Sequence, residues 1–445
     1  MQINIPRDVQ YILDKLDNSG YKAYVVGGCV RDSLLNLTPK DWDICTNAKP
    51  EILMKIFKEH NIILTGLKHG TITIMINNIG YEITTFRKES DYDDKRRPKR
   101  VEFIDDLEED LSRRDFTINA MAYNPKEGLI DPFHGKDDLI FKTIRVVCVN
   151  GEMISNRFKE DPLRVLRAYR FAARYGFIID EWTLKFGIQA IRAKDYESLS
   201  IERIREEFNK ILLHDPRQFM YMGEIFNIIL PEFNLMQTPQ NNPYHIYNTY
   251  THTFKAVLEC YDCLELRLAA LLHDVGKYKC KTTDENGIDH FYGHATESVI
   301  MAERYLQRLK YDNKTIDTVL TLIKYHDCEL NSKKSIKRLL NKIGDDKLKL
   351  LLDLKAVDIL AQNPIYKDER IRKLWKVEEI INEIKDKEEC FSIKDLAVNG
   401  NDLIEISIPQ GKKIGEYLNI CLEKVIEDPE LNSKEALLKI IENKL

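Results

Sequence analysis

The hydrophobic pattern of this chain changes its period about one third of the way along. Up to about residue 145, short runs rich in β-branched and aromatic residues, such as "YKAYVVGG", "TITIMI" and "YEITTF", predict strands with helical segments between them. After "IRVVCV", near residue 149, apolar residues recur at spacings of three and four almost to the end. The sequence therefore predicts a compact α+β or α/β domain followed by a long helical assembly.

Composition narrows the class of protein. A length of 445 residues exceeds what one hydrophobic core supports, so we expect two or more domains. No run approaches the roughly 18 apolar residues of a membrane span, and the N-terminus does not resemble a signal peptide. Nine scattered cysteines favour free thiols and a cytoplasmic location, and "CYDC" is expected on adjacent helical turns. A net charge of -5 restricts any nucleic-acid surface to local clusters of Lys and Arg.

The segment "KDWDIC" places two carboxylates close together in a predicted strand. Residues two apart on a strand share a face, so Asp41 and Asp43 project together, while Trp42 points the other way and is expected to anchor the strand to the core. Adjacent carboxylates repel each other, and hard oxygen ligands suit Mg²⁺. Glu82, on a later strand, is a candidate third carboxylate for two-metal chemistry. The alternative is a pair of solvated carboxylates on an edge strand.

A glycine pair precedes these carboxylates. Gly27 and Gly28 end an apolar strand and lead directly into a predicted helix. Glycines allow backbone N–H groups to approach a ligand closely, and a helix N-terminus favours anions such as phosphate. With Arg31 between the glycines and the carboxylates, the arrangement predicts a site for a metal-bound triphosphate.

Six ordered motifs carry a family resemblance over residues 22 to about 210. They are "GGCVRD", "DWD", "LSRRDFTINAMAY", "DPFHGKDDL", "EDPLRVLRAYRFA" and "SIERIREE". In this order they resemble the motifs of the class II tRNA nucleotidyltransferases, which include the CCA-adding enzymes and bacterial poly(A) polymerases. The resemblance implies that Asp41, Asp43 and Glu82 are catalytic and that the two aspartates bind Mg²⁺. It further implies a set of nucleotide-binding residues: Gly28, Arg31, Arg114, Asp115, Asn119, Asp161, Arg164, Arg167 and Arg170.

Two of these residues suit the choice of a base. Asp161 and Arg164 lie three apart in one predicted helix and would share a face. A carboxylate only accepts hydrogen bonds and a guanidinium only donates them. Cytosine and adenine each present an amino donor beside a ring-nitrogen acceptor, so this pair would select them over guanine and uracil. Without the motif context, the alternative is a surface ion pair, and the stripe that continues through Arg167, Arg170 and Arg174 is then a solvated face.

The segment "RKESDYDDKRRPKR", residues 87–100, is too charged for a core. The resemblance to the class II tRNA nucleotidyltransferases implies a flexible loop here, which in that family couples the switch from C to A addition. Its presence favours an enzyme that adds the complete CCA end over one that adds only CC.

A second group of ligand-type side chains lies in the helical part. Four of the ten histidines and two aspartates form an ordered series on predicted helices: His252, His273, Asp274, His294, His326 and Asp358. Imidazole and carboxylate ligands suit a transition metal or Mg²⁺ and can activate water at phosphate esters. The series resembles the HD phosphohydrolase domain, which some bacterial CCA-adding enzymes carry. That resemblance implies metal binding, and hydrolysis of cyclic phosphates or phosphate monoesters where the activity is retained.

The two resemblances together imply an α+β fold and a division of the chain. A small nucleotidyltransferase head with a mixed β-sheet precedes an elongated all-α neck, body and tail. The implied segments are a catalytic head (residues 1–145), a neck for base recognition (146–215), a body with the HD metal domain (216–375) and a tRNA-binding tail (376–445). Breaks at "HDPRQF", "TPQNNP" and "KDKEE" fit helical segments of this kind.

The implied activity is addition of C, C and A to the 3′ end of tRNA from CTP and ATP, without a template and with Mg²⁺. The implied partners are tRNA and the two nucleotides, without a membrane, and the sequence predicts no oligomeric state. Three alternatives stay open. The chain could be a poly(A) polymerase or a relative restricted to CC or A addition, or chiefly an HD phosphohydrolase, or an RNA-binding protein without catalysis.

Overall fold

The computed structural model describes residues 2–92, 98–149, 154–193, 197 and 199–443. The chain divides into two compact units, Met1–Ile229 and Leu230–Leu445. This division is coarser than the four segments implied by the sequence. None of the helices in the described ranges is both long enough and apolar enough to cross a bilayer.

The first unit contains a mixed β-sheet and eleven helices in its described part. Its strands are β1 Ala23–Val26, β2 Ile44–Thr46, β3 Asn61–Ile63, β4 Thr71–Ile76, β5 Ile79–Thr85, β6 Arg87–Tyr92, β7 Pro98–Phe103, β8 Ala122–Asn124, β9 Gly128–Ile130, β10 Thr143–Ile144 and β11 Ile178–Ile179. Its helices are α1 Arg7–Asn18, α2 Gly28–Leu34, α3 Pro50–Ile56, α4 Leu107–Ser112, α5 Gly135–Ile140, α6 Ile154–Glu160, α7 Arg164–Tyr175, α8 Glu181–Arg192, α9 Ile201–His214, α10 Gln218–Met222 and α11 Glu224–Ile229.

The main sheet has seven strands in the order β3-β4-β5-β2-β1-β8-β9. β2 and β5 run parallel and every other neighbouring pair is antiparallel, which confirms the predicted mixed sheet. The "TITIMI" segment forms β4, and its residues alternate between half-buried and buried, as expected for a strand with one face on the core. The strand order could not be predicted from the sequence, because pairing between distant strands depends on tertiary packing.

The charged segment at residues 87–100 forms β-structure where it is described. β6 and β7 pair as an antiparallel ribbon, with Arg87 opposite Phe103 and Tyr92 opposite Pro98. The centre of the expected flexible loop, residues 93–97, lies outside the described residues.

The second unit is helical apart from one short antiparallel pair, β12 Thr282–Thr283 and β13 Asp289–His290, within its described residues. Its helices are α12 Thr249–Glu259, α13 Leu264–Leu272, α14 Lys277–Cys280, α15 His294–Arg308, α16 Asn313–Tyr325, α17 Lys333–Ile343, α18 Asp345–Leu360, α19 Pro364–Asp386, α20 Gly400–Glu405, α21 Lys412–Glu427 and α22 Lys434–Glu442. The last three helices share an apolar core that includes Leu403, Cys421 and Leu437.

The "CYDC" segment corrects one expectation. Cys260 and Cys263 do not lie on adjacent helical turns, because α12 ends at Glu259 and α13 begins at Leu264. The buried Arg267 side chain stabilises the non-helical segment between these helices by donating hydrogen bonds to the backbone carbonyl of Cys260 and to Asp262, at 3.1 and 2.8 Å. All nine cysteines are free thiols, as predicted.

Candidate functional site

The turn between β1 and α2 forms one wall of the first candidate site. Gly27 has a positive φ of 76°, and its N–H donates to the carbonyl of Met121 at 3.1 Å. A Cβ atom added to Gly27 would lie 2.8 Å from Nη1 of Arg114. Glycine therefore permits both the turn and the close approach of this arginine.

Asp41 and Asp43 lie just before β2 and not within it, so their strand assignment is corrected. The backbone there is nevertheless tied to the sheet, since the carbonyl of Asp43 accepts a hydrogen bond from the N–H of Val26 at 3.0 Å. The parallel register pairs Ile44 with Ile83, which places Glu82 beside Asp43. Asp41 and Asp43 thus precede β2, Glu82 lies within the neighbouring β5, and all three side chains are exposed.

The electrostatics of these carboxylates fit a cation site. Desolvation in the cleft raises the pKa of Asp43, Arg114 lowers it, and Asp41 raises it again. The pKa of Glu82 is raised by desolvation and then by Asp43 and Asp41. A divalent cation would relieve this repulsion. In the described part of the chain, the groups of potential ligand atoms that lie within 4.8 Å of one another are in the second unit. The oxygens of these three carboxylates therefore do not all lie within 4.8 Å of one another.

Trp42 does not anchor the segment in the core. Its side chain is half-buried and borders a shallow cavity with the N-terminal residues Ile3 and Pro6. The expected burial fails because the segment lies outside the strand, so its residues do not alternate between the two faces of the sheet.

A cavity of about 400 Å³ collects every residue predicted to bind the nucleotide. Its lining consists of Gly27, Gly28, Arg31, Asp43, Arg114, Asp115, Asn119, Asp161, Arg164, Arg167, Arg170, Phe171 and Arg174. Phe171 was missed by sequence reasoning, because an aromatic residue on an apolar helix face is ordinarily core. The guanidinium carbon of Arg170 lies 4.0 Å from the centre of its ring.

Asp115 organises the cationic side of this cavity. Its carboxylate accepts hydrogen bonds from Nε and Nη2 of Arg167, at 2.8 and 2.5 Å, and from Nδ2 of Asn119 at 2.9 Å. The Oδ1 atom of Asn119 in turn accepts a hydrogen bond from Arg31. Burial alone would raise the pKa of Asp115, but Arg167 and Asn119 hold it below its ordinary value. The carboxylate is therefore ionised and fixes the direction of its partners.

Glu207, on α9, supports the neighbouring arginine. It is buried, and its Oε2 atom lies 2.6 Å from Nε of Arg170. In the sequence, only the "SIERIREE" motif pointed to this residue. The contact shows that this helix orients a cavity arginine.

The two residues expected to choose the base do not share a helix. Asp161 lies between α6 and α7, where Pro162 follows it, and a proline disfavours helical geometry in the residue before it. Oδ2 of Asp161 lies 2.8 Å from Nη2 of Arg203, and its Oδ1 accepts from the N–H of Leu163 at 3.1 Å. The i,i+3 ion pair with Arg164 is therefore not formed, although both side chains line the cavity.

Arg164 is held by other groups. Its Nη1 donates to Oε2 of Glu160 and to the carbonyl of Arg157, at 2.9 and 2.8 Å, and its Nη2 donates to the carbonyl of Arg113 at 3.1 Å. The side chain is only 8% exposed. A buried guanidinium with this many partners has one fixed orientation.

The second candidate site brings together all six residues of the predicted metal series. The Nδ1 atom of each histidine lies within hydrogen-bonding distance of a backbone carbonyl: His252 with Ala361 at 3.3 Å, His273 with Ala270 at 2.8 Å, His294 with Phe291 at 2.8 Å and His326 with Ile323 at 2.7 Å. A carbonyl can only accept, so this pattern assigns the proton to Nδ1 and directs the Nε2 lone pair inward. Histidines that bind metals are held in this way.

Asp274 lies at the centre of the four rings. Its Oδ2 is 3.2 Å from Nε2 of His273 and 3.6 Å from Nε2 of His252. Its Oδ1 is 3.5 Å from Nε2 of His294 and 3.9 Å from Nε2 of His326. Each oxygen thus completes a group of three ligand atoms within 4.8 Å.

Buried atoms that lack well-directed hydrogen bonds test whether these residues fit a metal ion. Within the described part of the chain, both oxygens of Asp274 and the Nε2 atoms of His252 and His273 are buried without a geometrically acceptable hydrogen bond. The Nε2 atoms of His294 and His326 face each other at 3.1 Å, which requires a proton or a cation between them. Such buried polar atoms are costly unless a ligand satisfies them, so the set fits a metal ion.

The charges of the cluster lead to the same conclusion. Burial lowers the pKa of His273, but Asp274 outweighs this effect and the pKa rises to about 10. Burial and the neighbouring His273 lower the pKa of His326 to about 3. Asp358, whose Oδ1 lies 2.9 Å from Nε2 of His252, adds a second carboxylate. The cluster therefore requires positive charge, which a bound metal ion would supply in place of a proton.

Two further residues adjoin this cluster and were missed from the sequence. Nζ of Lys277 lies 2.7 Å from Oδ2 of Asp274 and 3.1 Å from Oε1 of Gln240. The ring of His245 lies 4.9 Å from that of His252. Lys277 had a signal, because it follows Asp274 by three residues within "HDVGK".

Comparisons with known sequences define the class of protein first. The Poly A polymerase head domain matches residues 23–145, and domain 2 of the tRNA nucleotidyltransferases matches residues 290–441. The chain is therefore a nucleotidyltransferase of class II, with the mixed-sheet head that this class carries.

Its relatives identify the family. The chain is 34% identical to a CCA-adding enzyme of Ligilactobacillus salivarius over 99% of both sequences. It is 46% identical to that of Leuconostoc mesenteroides in a match that spans 46% of this chain and about half, 49%, of the relative. The crystal structure of the Bacillus stearothermophilus CCA-adding enzyme in complex with CTP has 27% identity, covers 99% of this chain and 98% of its own, and gives a TM-score of 0.68. The chain belongs to the CCA-adding enzyme family.

Proposed function

We propose that this chain adds C, C and A to the 3′ end of tRNA, using CTP and ATP and no nucleic-acid template. The observation that carries the proposal is the arginine-rich cavity that gathers all nine predicted nucleotide-binding residues beside Asp43. Five arginines that line one cavity in addition to Arg31 suit a triphosphate and the phosphates of an RNA end.

Individual residues have distinct tasks in this proposal. The backbone N–H of Gly28 and the guanidinium groups of Arg31 and Arg114 bind the triphosphate. Asp161 accepts a hydrogen bond from the amino group of cytosine or adenine, and Arg164 donates one to the ring nitrogen. Asp41 and Asp43, with Glu82 beside them, would hold Mg²⁺; of two such ions, one would supply a lowered pKa for the attacking tRNA hydroxyl and the other would supply charge neutralisation for the departing pyrophosphate.

The division into four segments belongs to the same proposal. Residues 1–145 carry catalysis, 146–215 carry base recognition, 216–375 carry the second metal centre and 376–445 bind tRNA. The matched head domain, residues 23–145, supports the first boundary. Nine free thiols support a cytoplasmic location.

A product ladder tests the activity. Purified protein with Mg²⁺ is given a tRNA that lacks its CCA end, together with CTP alone, ATP alone or both. We expect two additions with CTP alone and a stop after the third addition with both. A long A tail would instead identify a poly(A) polymerase, a stop after CC would identify a restricted relative, and no incorporation at all would contradict the proposal.

A second function is proposed for the helical unit, namely metal-dependent hydrolysis of phosphate esters. It is supported by the converging Nε2 atoms and by the buried oxygens of Asp274, which lack hydrogen bonds of acceptable geometry. The six residues of the series would hold a transition metal or Mg²⁺, which supplies an activated water when bound.

Metal analysis tests this second function. Protein loaded with Mn²⁺ or Ni²⁺ and then desalted should retain metal, and H273A should lose it, while H69A, which removes an exposed histidine of the first unit, should not. Hydrolysis of p-nitrophenyl phosphate should disappear on chelation. Equal metal retention by H273A and the unmodified protein would contradict the assignment.

A further inference from the structure

We infer that Arg370 binds the phosphate group of the substrate at the helical metal centre. This inference rests on the proposed hydrolytic function and deepens it, because it names the side chain that would hold the substrate anion. Arg370 lies on α19 and is absent from the metal series found in the sequence.

Two cavities adjoin the metal cluster, with volumes of about 310 and about 550 Å³. They share five lining residues: Tyr244, His326, Asp327, Asp358 and Arg370. Two of the five belong to the metal series. Arg370 therefore stands at the junction of both cavities, next to the atoms that would hold the metal.

A hydrogen-bonded relay fixes Arg370 relative to the cluster. Gln362 is buried, and its Nε2 donates to Oδ2 of Asp358 at 3.0 Å. The Oε1 atom of the same amide accepts a hydrogen bond from Nη1 of Arg370. Because both ends of the amide are engaged, it cannot rotate without losing one of them. The guanidinium is thus separated from a metal-series carboxylate by one oriented side chain.

An aromatic side chain supports the same guanidinium. The Cζ atom of Arg370 lies 5.5 Å from the centre of the Tyr244 ring, and the ring of Tyr366 meets that of Tyr244 edge-on at 5.0 Å. The Tyr244 segment is itself tied to the start of α19, since its carbonyl accepts from the N–H of Asn363 at 2.9 Å. The arginine is positioned by packing as well as by hydrogen bonds.

The charge of Arg370 has no carboxylate partner in the described structure. No Asp or Glu oxygen of the described residues forms an ion pair with it within 4.0 Å. This includes Asp327, although Asp327 lines both cavities. The other basic groups of the cavities are engaged: Lys277 with Asp274 at 2.7 Å, Lys355 with two backbone carbonyls at 2.6 Å each, and Lys373 with Glu369 at 2.7 Å. Lys355 also lacks a carboxylate partner, but its Nζ is held by those two carbonyls, whereas Arg370 uses only Nη1 in a hydrogen bond. Among the described lysines and arginines of these cavities, Arg370 therefore has the most donors left for a substrate.

The chemistry of this position favours a phosphate group. A guanidinium stays charged at physiological pH and presents paired N–H donors that match two oxygens of a phosphate. A phosphate ester at the metal ligands also needs a second cation, because its remaining oxygens would otherwise face Asp358 and Asp327. Arg370 meets this need from the junction of the two cavities.

Binding of inorganic phosphate tests the inference in the full-length protein. Calorimetry on metal-loaded and on chelator-treated protein compares the unmodified chain with R370Q, R370K and the control R372Q, whose exposed side chain lies two residues along the same helix. We expect R370Q to weaken phosphate binding by about tenfold or more, R370K to restore part of it and R372Q to change nothing. Metal content should be the same in all four proteins.

Hydrolysis of p-nitrophenyl phosphate by the metal-loaded proteins is the second measurement. We expect R370Q to raise KM more than it lowers kcat. If the unmodified protein retains no metal, the proposed hydrolytic function fails. In that case, a loss of phosphate binding in R370Q would still support Arg370 as an anion ligand. Equal phosphate affinity in R370Q and the unmodified chain, or no phosphate binding by the unmodified chain in either state, overturns the inference.

Discussion

At the scale of single residues, the arrangement of the proposed nucleotide cavity depends on Asp115, which is not one of the three carboxylates proposed to hold Mg²⁺. Asp115 holds Arg167 through two hydrogen bonds and aligns Asn119, which in turn accepts from Arg31. Without Asp115, Arg167 keeps only Glu207 as an acidic partner, at 4.0 Å, so it loses its orientation and retains its desolvation cost.

D115N should therefore lower stability in a pH-dependent way. At pH 7 we expect the free energy of unfolding to fall by about 2 kcal/mol, because a charged hydrogen-bond acceptor is lost. The folded pKa of Asp115 lies below the ordinary carboxyl value of 3.8. Its contribution is thus complete above that value and disappears as the pH falls through the lowered pKa.

Denaturant unfolding at pH 7 and at pH 3 measures this difference. The control is D137N, which alters a carboxylate whose side chain is 62% exposed and should change stability little at either pH. A D115N effect that is equal at both pH values, or as small as that of D137N, would contradict the role assigned to Asp115.

A second prediction at this scale concerns the choice of nucleotide. D161A removes the acceptor for the amino group of cytosine and adenine, so discrimination of CTP against UTP should fall by about tenfold. Single-nucleotide incorporation into tRNA lacking CCA gives kcat/KM for each nucleotide, and E181A, an exposed carboxylate on α8, is the matched control. Unchanged discrimination in D161A would exclude this residue from base selection.

Residue identities could be predicted here, but their partners could not. The motifs pointed to Asp161 and Arg164, and both line the cavity. Their actual partners are Arg203 and Glu160. These contacts depend on the interruption of the helix at Pro162 and on the packing of α9, and helical spacing in the sequence reveals neither. Arg370 had no signal at all, since it gains its position only when α19 packs beside Asp358.

At the scale of elements, the turn between β1 and α2 combines a backbone requirement with a contact to the site. Gly27 and Gly176 both have a positive φ, 76° and 67°, but their ψ angles differ: -122° at Gly27 and 32°, in the αL region, at Gly176. A Cβ at Gly27 would lie 2.8 Å from Arg114, whereas a Cβ at Gly176 has no heavy atom within 4 Å. Alanine at Gly176 would therefore cause backbone strain alone, whereas alanine at Gly27 would cause backbone strain and also displace a side chain of the cavity.

G176A should lower stability by about 1 kcal/mol, because alanine is strained in the αL conformation, and G27A should lower it by more, because its combination of φ and ψ is almost restricted to glycine. Only G27A should also raise the KM for CTP and ATP, since its methyl group displaces Arg114. Thermal unfolding and steady-state kinetics on both variants check this. The same KM in both variants would show that the close approach of Arg114 to this turn has no part in nucleotide binding.

The ends of elements were harder to predict than their type. The strand and helix segments followed from period and residue type, and the mixed sheet was confirmed. The predicted continuous helices instead break at residues 161–163 and 260–263. Proline explains the first break, but the second depends on hydrogen bonds from the buried Arg267 that only the folded structure contains.

At the scale of the whole molecule, each compact unit carries one complete candidate site. The nucleotide cavity draws on residues before 229, and the metal cluster draws on residues after 230. Because no residue is shared between the two sets, each chemistry can be removed without touching the ligands of the other. This separation was predictable from the sequence, since the two motif series do not overlap along the chain.

Reciprocal inactivation tests the separation. D43N should reduce nucleotide addition by about a thousandfold, since a metal-binding carboxylate supports several kcal/mol of transition-state stabilisation. It should leave retained metal and hydrolysis of p-nitrophenyl phosphate unchanged. H273A should lose retained metal and hydrolysis and keep nucleotide addition to tRNA. If either substitution abolished both activities while the protein stayed folded by circular dichroism, the two sites would not be independent, and the assignment of one chemistry to each unit would be wrong.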